Sequence, residues 1–218
     1  MGEKFAVYYL HGLGSSCDGT KALMTRSLVE ELGGEFNCKN FDYLRKGNYP
    51  WEVLEEITPW VKDDKPFFLI GSSMGAYTWL DYMVNEPEVF LSPNFKGAIL
   101  ITPPTTLFDN LEKWAPLFGR EKIFFNYGED YIYDYPTFVR LMNWDLKFAN
   151  LRLLTLAKPS MVSILAKRDT VVDNTPVYEL KKVAKEMELY EIDDEHPLRN
   201  KLNELERLLR NILIQRTG

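Results

Sequence analysis

Two serines stand side by side in PFFLIGSSMGAYTWLDYM, residues 66–83. A serine hydroxyl becomes a nucleophile when a base takes its proton and a carboxylate orients that base. The spacing Gly-x-Ser-x-Gly selects one of the two. It fits Gly71-Ser72-Ser73-Met74-Gly75 with Ser73 at the centre, whereas centring Ser72 would put Ile70 and Met74 where glycines belong. This spacing suits a sharp strand-to-helix turn that holds the central side chain above a sheet in strained backbone. The flanking glycines then lie against the neighbouring strand and helix, where a Cβ would clash. The helix that follows points its N–H groups at the reaction centre. The bland alternative is a serine in a tight turn. The apolar runs on both sides favour the nucleophile.

The base is sought among two histidines, His11 in YYLHGLGSS and His196 in EIDDEHPL. Imidazole suits the task because it titrates near neutrality. His196 follows the last strand-like run, where the chain order Ser…Asp…His wants its base; otherwise it is a surface histidine at the start of the last helix. The acid should lie between the two. SILAKRDTVVD offers Asp169, with Asp173 as runner-up, and the alternative reading of Asp169 is a turn aspartate capping the helix that starts near Thr175. Asp193 and Asp194 are too near His196 in sequence to orient it. An oxyanion intermediate needs two converging backbone N–H groups. Met74 supplies one, and the loop HGLGSS the other, from Leu13; Gly12 and Gly14 let that backbone come close.

These residues need a frame. AVYYL at 6–10, a weaker run near 36–41, PFFLI at 66–70, GAILI at 97–101, SMVSILAK at 160–167 and MELYEI at 187–192 read as strands. Helical spacing occupies 18–32, 51–61, 76–86, 176–185 and about 197–215. Pro59 must end or kink the second of these. The third is apolar on nearly every face and should be buried. Strands alternating with helices predict a doubly wound, mainly parallel sheet covered on both faces. Ligands bind such sheets outside the carboxyl ends of the strands, which is where the Gly-Ser turn lies.

Taken together, YLHGLGSS, LIGSSMGAY, ILAKRDTVV and DDEHPL resemble the α/β-hydrolase superfamily over nearly the whole chain, most closely small bacterial serine esterases. The resemblance implies an α/β-hydrolase fold in which Ser73, Asp169 and His196 form the triad, Leu13 and Met74 the oxyanion hole, and His11 holds its loop. It implies a core of residues 1–104 and 151–218 and a helical, aromatic cap over 105–150, with no metal or organic cofactor. Two departures stand out. Ala76 replaces a second glycine after the turn, and Asp193-Asp194-Glu195 replaces the usual glycines before the histidine. Those charges would stabilise the imidazolium and shift activity to alkaline pH.

Residues 105–150 hold 12 of the 30 aromatic residues, which suits a small-molecule ester with an apolar acyl or aromatic group. A cap's need for its own small core explains them equally well. Lys113, Arg120, Lys122, Arg140 and Lys147 are scattered there and define no phosphate or coenzyme A site. A net charge of −6 without a basic block gives nucleic-acid binding no support. The first apolar run is too short for a signal or membrane segment, so a cytoplasmic location is expected. On that ground Cys17 and Cys38 are read as two reduced thiols, a disulfide or a reactive Cys17 being the alternatives. The expected activity is hydrolysis of carboxylic esters or thioesters. C–C, amide or peptide bonds, or a non-catalytic binding module, stay open, as does the oligomeric state.

Overall fold

The computed structural model describes residues 4–107, 117–118, 122–126, 130–146 and 160–217, of which 117–118, 122–126 and 130–132 as backbone only. Six strands form one parallel sheet: β1 (Ala6–Leu10), β2 (Glu35–Lys39), β3 (Phe67–Ser72), β4 (Phe95–Ile101), β8 (Met161–Ala166) and β9 (Glu188–Ile192). Their order is β2-β1-β3-β4-β8-β9. The inner strands β1, β3 and β8 are buried at every position, as a sheet covered on both faces requires.

Alternation along each strand sorts the core into two layers. Val7, Tyr9, Phe68, Ile70, Ile99, Ile164 and Ile192 face helices α1 (Thr20–Glu31) and α6 (Leu202–Thr217). Tyr8, Leu10, Leu69, Leu100 and Leu165 face α2 (Pro50–Ile57), α3 (Met74–Asn85) and α5 (Thr175–Val183). The helix expected over 51–61 stops at Ile57, before Pro59. Every residue of α3 from Met74 to Met83 is buried.

The last helix starts later than its apolar stripe predicts. Pro197 follows His196, Leu198 adopts φ 53°, and the Asp194 carboxylate takes the N–H groups of Asn200 and Lys201. Leu198 is nonetheless fully buried, so the sequence pattern reports its burial and not its helicity.

Between β4 and β8 the chain forms a second sheet, antiparallel, in the order β5 (Leu117–Phe118), β6 (Lys122–Asn126), β7 (Asp130–Asp134), followed by helix α4 (Tyr135–Trp144). The β6–β7 pairing is a finding beyond the helical, aromatic expectation for this segment. Of the aromatics that drew attention there, Phe108, Trp114, Tyr127 and Phe148 lie outside the described residues.

The cysteine reading is corrected. Cys17 and Cys38 form a disulfide. No short Cys spacing announces it, because sheet adjacency makes it: β1 pairs with β2, Tyr9 opposite Cys38, so the loop leaving β1 passes the end of β2. Thiol chemistry at Cys17 is thereby excluded in this state. Among the described residues, no helix is long and apolar enough to cross a membrane.

Candidate active site

The strand order reverses between β1 and β3, since the chain runs outward from β1 to β2 before crossing to β3. The loops at the carboxyl ends of these two strands therefore flank a crevice at the switch point. One is the His11–Gly19 loop and the other is the Ser72–Ser73 turn. Ser72 is the buried last residue of β3. Ser73 follows at φ 52° and ψ −116°, a conformation that costs a non-glycine residue roughly 1–3 kcal/mol and persists only where surroundings impose it. The imposition is visible. Its N–H donates to the Ile101 carbonyl at 2.8 Å, and its own carbonyl accepts from Ala76 and Tyr77 in α3. A Cβ on Gly75 would lie 2.1 Å from the Leu10 carbonyl oxygen, and one on Gly71 would lie 2.5 Å from the Gly75 backbone. Glycine is thus required at both flanks.

His196 and Asp169 arrive from the ends of β9 and β8. His196 Nε2 lies 2.8 Å from Ser73 Oγ, and His196 Nδ1 lies 2.7 Å from Asp169 Oδ2. A carboxylate oxygen accepts, so Nδ1 carries the proton and Nε2 accepts from the serine hydroxyl. Asp169 is held by its other oxygen, which accepts the N–H groups of Val171 and Val172 at 2.9 and 2.8 Å. Its side chain is inaccessible to solvent, while 13% of the imidazole is exposed. The runner-up, Asp173, accepts from Thr175 N–H at the start of α5. The capping work considered for Asp169 is done by Asp173.

The β1 loop runs beside the serine. A Cβ on Gly12 would sit 3.3 Å from Ser73 Cβ. Ser15 N–H donates to the Gly12 carbonyl, so Leu13 occupies the first central position of a tight turn, where its N–H is not used by the turn. Met74 is the first residue of α3, and its N–H has no carbonyl to bond within the helix. His11 is buried and neutral by necessity: Nδ1 donates to the Gly12 carbonyl at 2.8 Å and Nε2 accepts the Phe41 N–H at 3.1 Å. Burial depresses its pKa, against the opposing pull of the Gly12 hydrogen bond.

The acidic run before His196 is turned to other uses. Asp193 pairs with Arg168 at 3.0 Å on the surface. Asp194 points inward and accepts from Glu195, Asn200 and Lys201 backbone N–H groups and the Asn200 side chain. Burial alone would raise its pKa, but these hydrogen bonds outweigh burial and hold it below the ordinary value. Sequence reading missed this clamp, because an acidic run does not show which of its carboxylates turns inward.

Sequence reading also missed a buried network under the segment between β4 and β8. The Tyr77 hydroxyl donates to Asp145 at 2.7 Å, Asp145 accepts Leu107 N–H, and the Trp144 indole donates to Asp81 at 2.9 Å. Leu107 near its start and Trp144 and Asp145 further along are thereby fastened, directly or through Asp145, to α3. Burial, aided by Asp145, pushes Asp81 up to about 7 despite the Trp144 and Asn85 hydrogen bonds. Beyond the network, Trp51, Tyr133 and Leu141 pack together, with Leu13, Tyr49, Phe138 and Trp144 around them. The Arg140 guanidinium lies 3.9 Å over the Trp51 ring. Among the described residues, no group of three or more His, Cys, Asp or Glu side chains is placed to hold a metal ion.

A six-stranded parallel sheet with a strained serine turn at its switch point defines the α/β-hydrolase fold, and solved structures bear this out. An esterase from Pyrococcus furiosus superposes with a TM-score of 0.68 at 20% identity, over 100% of this chain and 83% of that one. The esterase domain of a Rhodothermus marinus protein gives 0.70 at 14%, over 100% and 90%. Est1E from Butyrivibrio proteoclasticus with ferulic acid bound gives 0.75 at 12%, over 98% and 90%. The chain has the α/β-hydrolase fold. Residues 6–212 match the uncharacterised protein family UPF0227, and the chain belongs to that family. No curated protein matches it.

Proposed function

We propose that the protein is a serine hydrolase of carboxylic esters, thioesters included, working through an acyl-enzyme. Ser73 attacks the carbonyl carbon while His196 takes its proton. The N–H groups of Leu13 and Met74 hold the resulting oxyanion. His196 returns the proton to the leaving alcohol, and Asp169 keeps the imidazole in the tautomer this requires. A water activated by His196 then releases the acid. No cofactor enters the scheme. The observation that carries it is the unbroken line from Asp169 through His196 to Ser73, with contacts of 2.7 and 2.8 Å, ending on a strained turn.

Residues 105–150 act as the cap over this centre, and the rest of the chain is the catalytic core. The aromatic group around Trp51 and Tyr133 reaches Leu13 beside the serine, which suits a small ester with an apolar acyl or aromatic group. Ferulic acid in Est1E is a precedent for an aromatic acid on this fold.

The test is a p-nitrophenyl ester series from acetate to palmitate, on wild type and Ser73→Ala. Hydrolysis that peaks at one chain length and falls by about 10³-fold or more in Ser73→Ala is expected. Cleavage that survives Ser73→Ala overturns the scheme. If no ester is cleaved while a fluorophosphonate still labels Ser73, the bond is of another kind, amide or C–C. If neither occurs, the protein is a binding module.

A further inference from the structure

Beside the serine opens a cavity of about 350 Å3. Ser73 and His196 form one part of its wall, and Lys21 and Arg199 another. The remaining polar lining includes the hydroxyls of Ser15 and Thr20, and no described lining residue is a carboxylate. In a chain of net charge −6 this is an unusual local balance.

The two cations have no described carboxylate partner. Lys21 Nζ donates one hydrogen bond, to the Pro197 carbonyl at 2.7 Å, next to the imidazole-bearing residue. An ammonium has three donors, so that bond does not exhaust it. Arg199 is exposed and brings a second, fixed charge to the cavity lining. Their mutual repulsion is opposed only by the weaker pull of Asp194. Burial, reinforced by Arg199, pushes Lys21 down to about 8, against the attraction of Asp194. An anion in the cavity would remove both costs.

We infer that Lys21 and Arg199 form a subsite for an anionic group on the substrate, a carboxylate or a phosphate, held beside Ser73 while a neutral ester linkage is cleaved. The inference deepens the serine-hydrolase reading and rests on it. It assigns the two sides of Ser73 to different parts of one substrate. The apolar part meets the aromatic side chains near Leu13, and the charged part enters between α1 and the loop after β9.

The test uses p-nitrophenyl half-esters of linear diacids of four to eight carbons, each beside its methyl-capped counterpart, with spontaneous hydrolysis subtracted. The readout is the ratio of kcat/KM, free acid over methyl ester. Charge-assisted hydrogen bonds of this kind, partly exposed, imply a ratio of about ten or more at the best length. Lys21→Gln and Arg199→Gln should each bring it towards one. A Lys21 that merely steadies the Pro197 carbonyl would slow both esters alike and leave the ratio standing. Replacing the distal carboxylate by a phosphonate at the best length shows which anion fits: a higher ratio assigns phosphate, a lower one carboxylate. A ratio near one in wild type at every length, or a ratio untouched by both substitutions, overturns the subsite. The methyl esters keep the two readings apart, because their Ser73-dependent cleavage upholds the hydrolase whatever the ratio. If no ester is cleaved, both readings fall.

Discussion

Two loops frame Ser73, and they are held by different chemistry. The loop after β1 is tied by the Cys17–Cys38 disulfide and by a neutral, buried His11 that bonds Gly12 and Phe41. The loop after β9 carries no covalent tie. It folds around an ionised carboxylate, Asp194, whose two oxygens gather Glu195, Asn200 and Lys201. One loop runs beside the serine with the Leu13 N–H unused by its turn, and a backbone group needs a fixed path. The other presents an imidazole, which needs a fixed ring. The comparison teaches that the site's rigidity comes from two independent sources, one sensitive to redox and mild acid, the other to strong acid alone.

Of the two loops, the one after β9 should have the larger effect on activity. Asp194→Ala leaves three backbone N–H groups without their acceptor and frees the segment that carries His196. A displacement of about 1 Å at a catalytic base costs about 10²-fold, so kcat/KM on the best p-nitrophenyl ester should fall by about that factor. Steady-state kinetics with a circular dichroism control for folding checks it. An activity within twofold of wild type would mean that Pro197 and Lys21 position the imidazole without the carboxylate.

Opening the disulfide should act more on stability than on rate. The bond closes a loop with a sequence separation of 21. A loop of that size constrains the unfolded chain by about 3 kcal/mol, roughly 6–12 °C in Tm for a domain of this length. Calorimetry with and without reductant, and on Cys17→Ser, measures it. Activity should drop less than in Asp194→Ala, because His11 still holds Gly12. A Tm indifferent to reductant would show that the two sulfurs are not joined in solution.

The smallest effect is a separation in pH. His11 has a depressed folded pKa, so the unfolded chain binds its proton more readily. Its contribution is therefore full above 6.5, the ordinary value, and is lost as pH falls below it. Asp194 is also depressed, but from 3.8, so its contribution persists to lower pH and fails as the carboxylate protonates. Hydrogen exchange reads the two separately. Protection of Phe41 N–H should decline below pH 6.5, while Asn200 and Lys201 N–H stay protected until below pH 3.8. Loss of all three together would show one cooperative loop system instead of two.

Much of this was legible in the chain. β1, β3, β4 and β8 announce themselves because buried parallel strands are continuous apolar runs bounded by turns. That Ser73, Asp169 and His196 would come together was legible because each follows a strand, and the strands of a parallel sheet put their carboxyl ends at one edge. What stayed hidden depends on contacts that the sequence does not space regularly. Cys17 meets Cys38 through sheet adjacency. Lys21 and Arg199 line one cavity because α1 packs beside the loop after β9. Tyr77 finds Asp145 only when the segment after β4 folds back on α3. Asp194 misled in another way: read as one charge in an acidic run, it was expected to act on the imidazole, whereas its oxygens are consumed by backbone N–H groups. The antiparallel pairing of β6 and β7 escaped because the run of aromatics there was read for composition, and strand pairing needs a partner.

The central claim is that Ser73 is the nucleophile. The most direct measurement is intact-protein and peptide mass spectrometry after exposure to a fluorophosphonate, on wild type, Ser73→Ala and His196→Ala. The account predicts one adduct in wild type, located on Ser73, absent from Ser73→Ala, and formed at least a hundredfold more slowly in His196→Ala. An adduct on Ser72, or labelling that persists in Ser73→Ala, would contradict it.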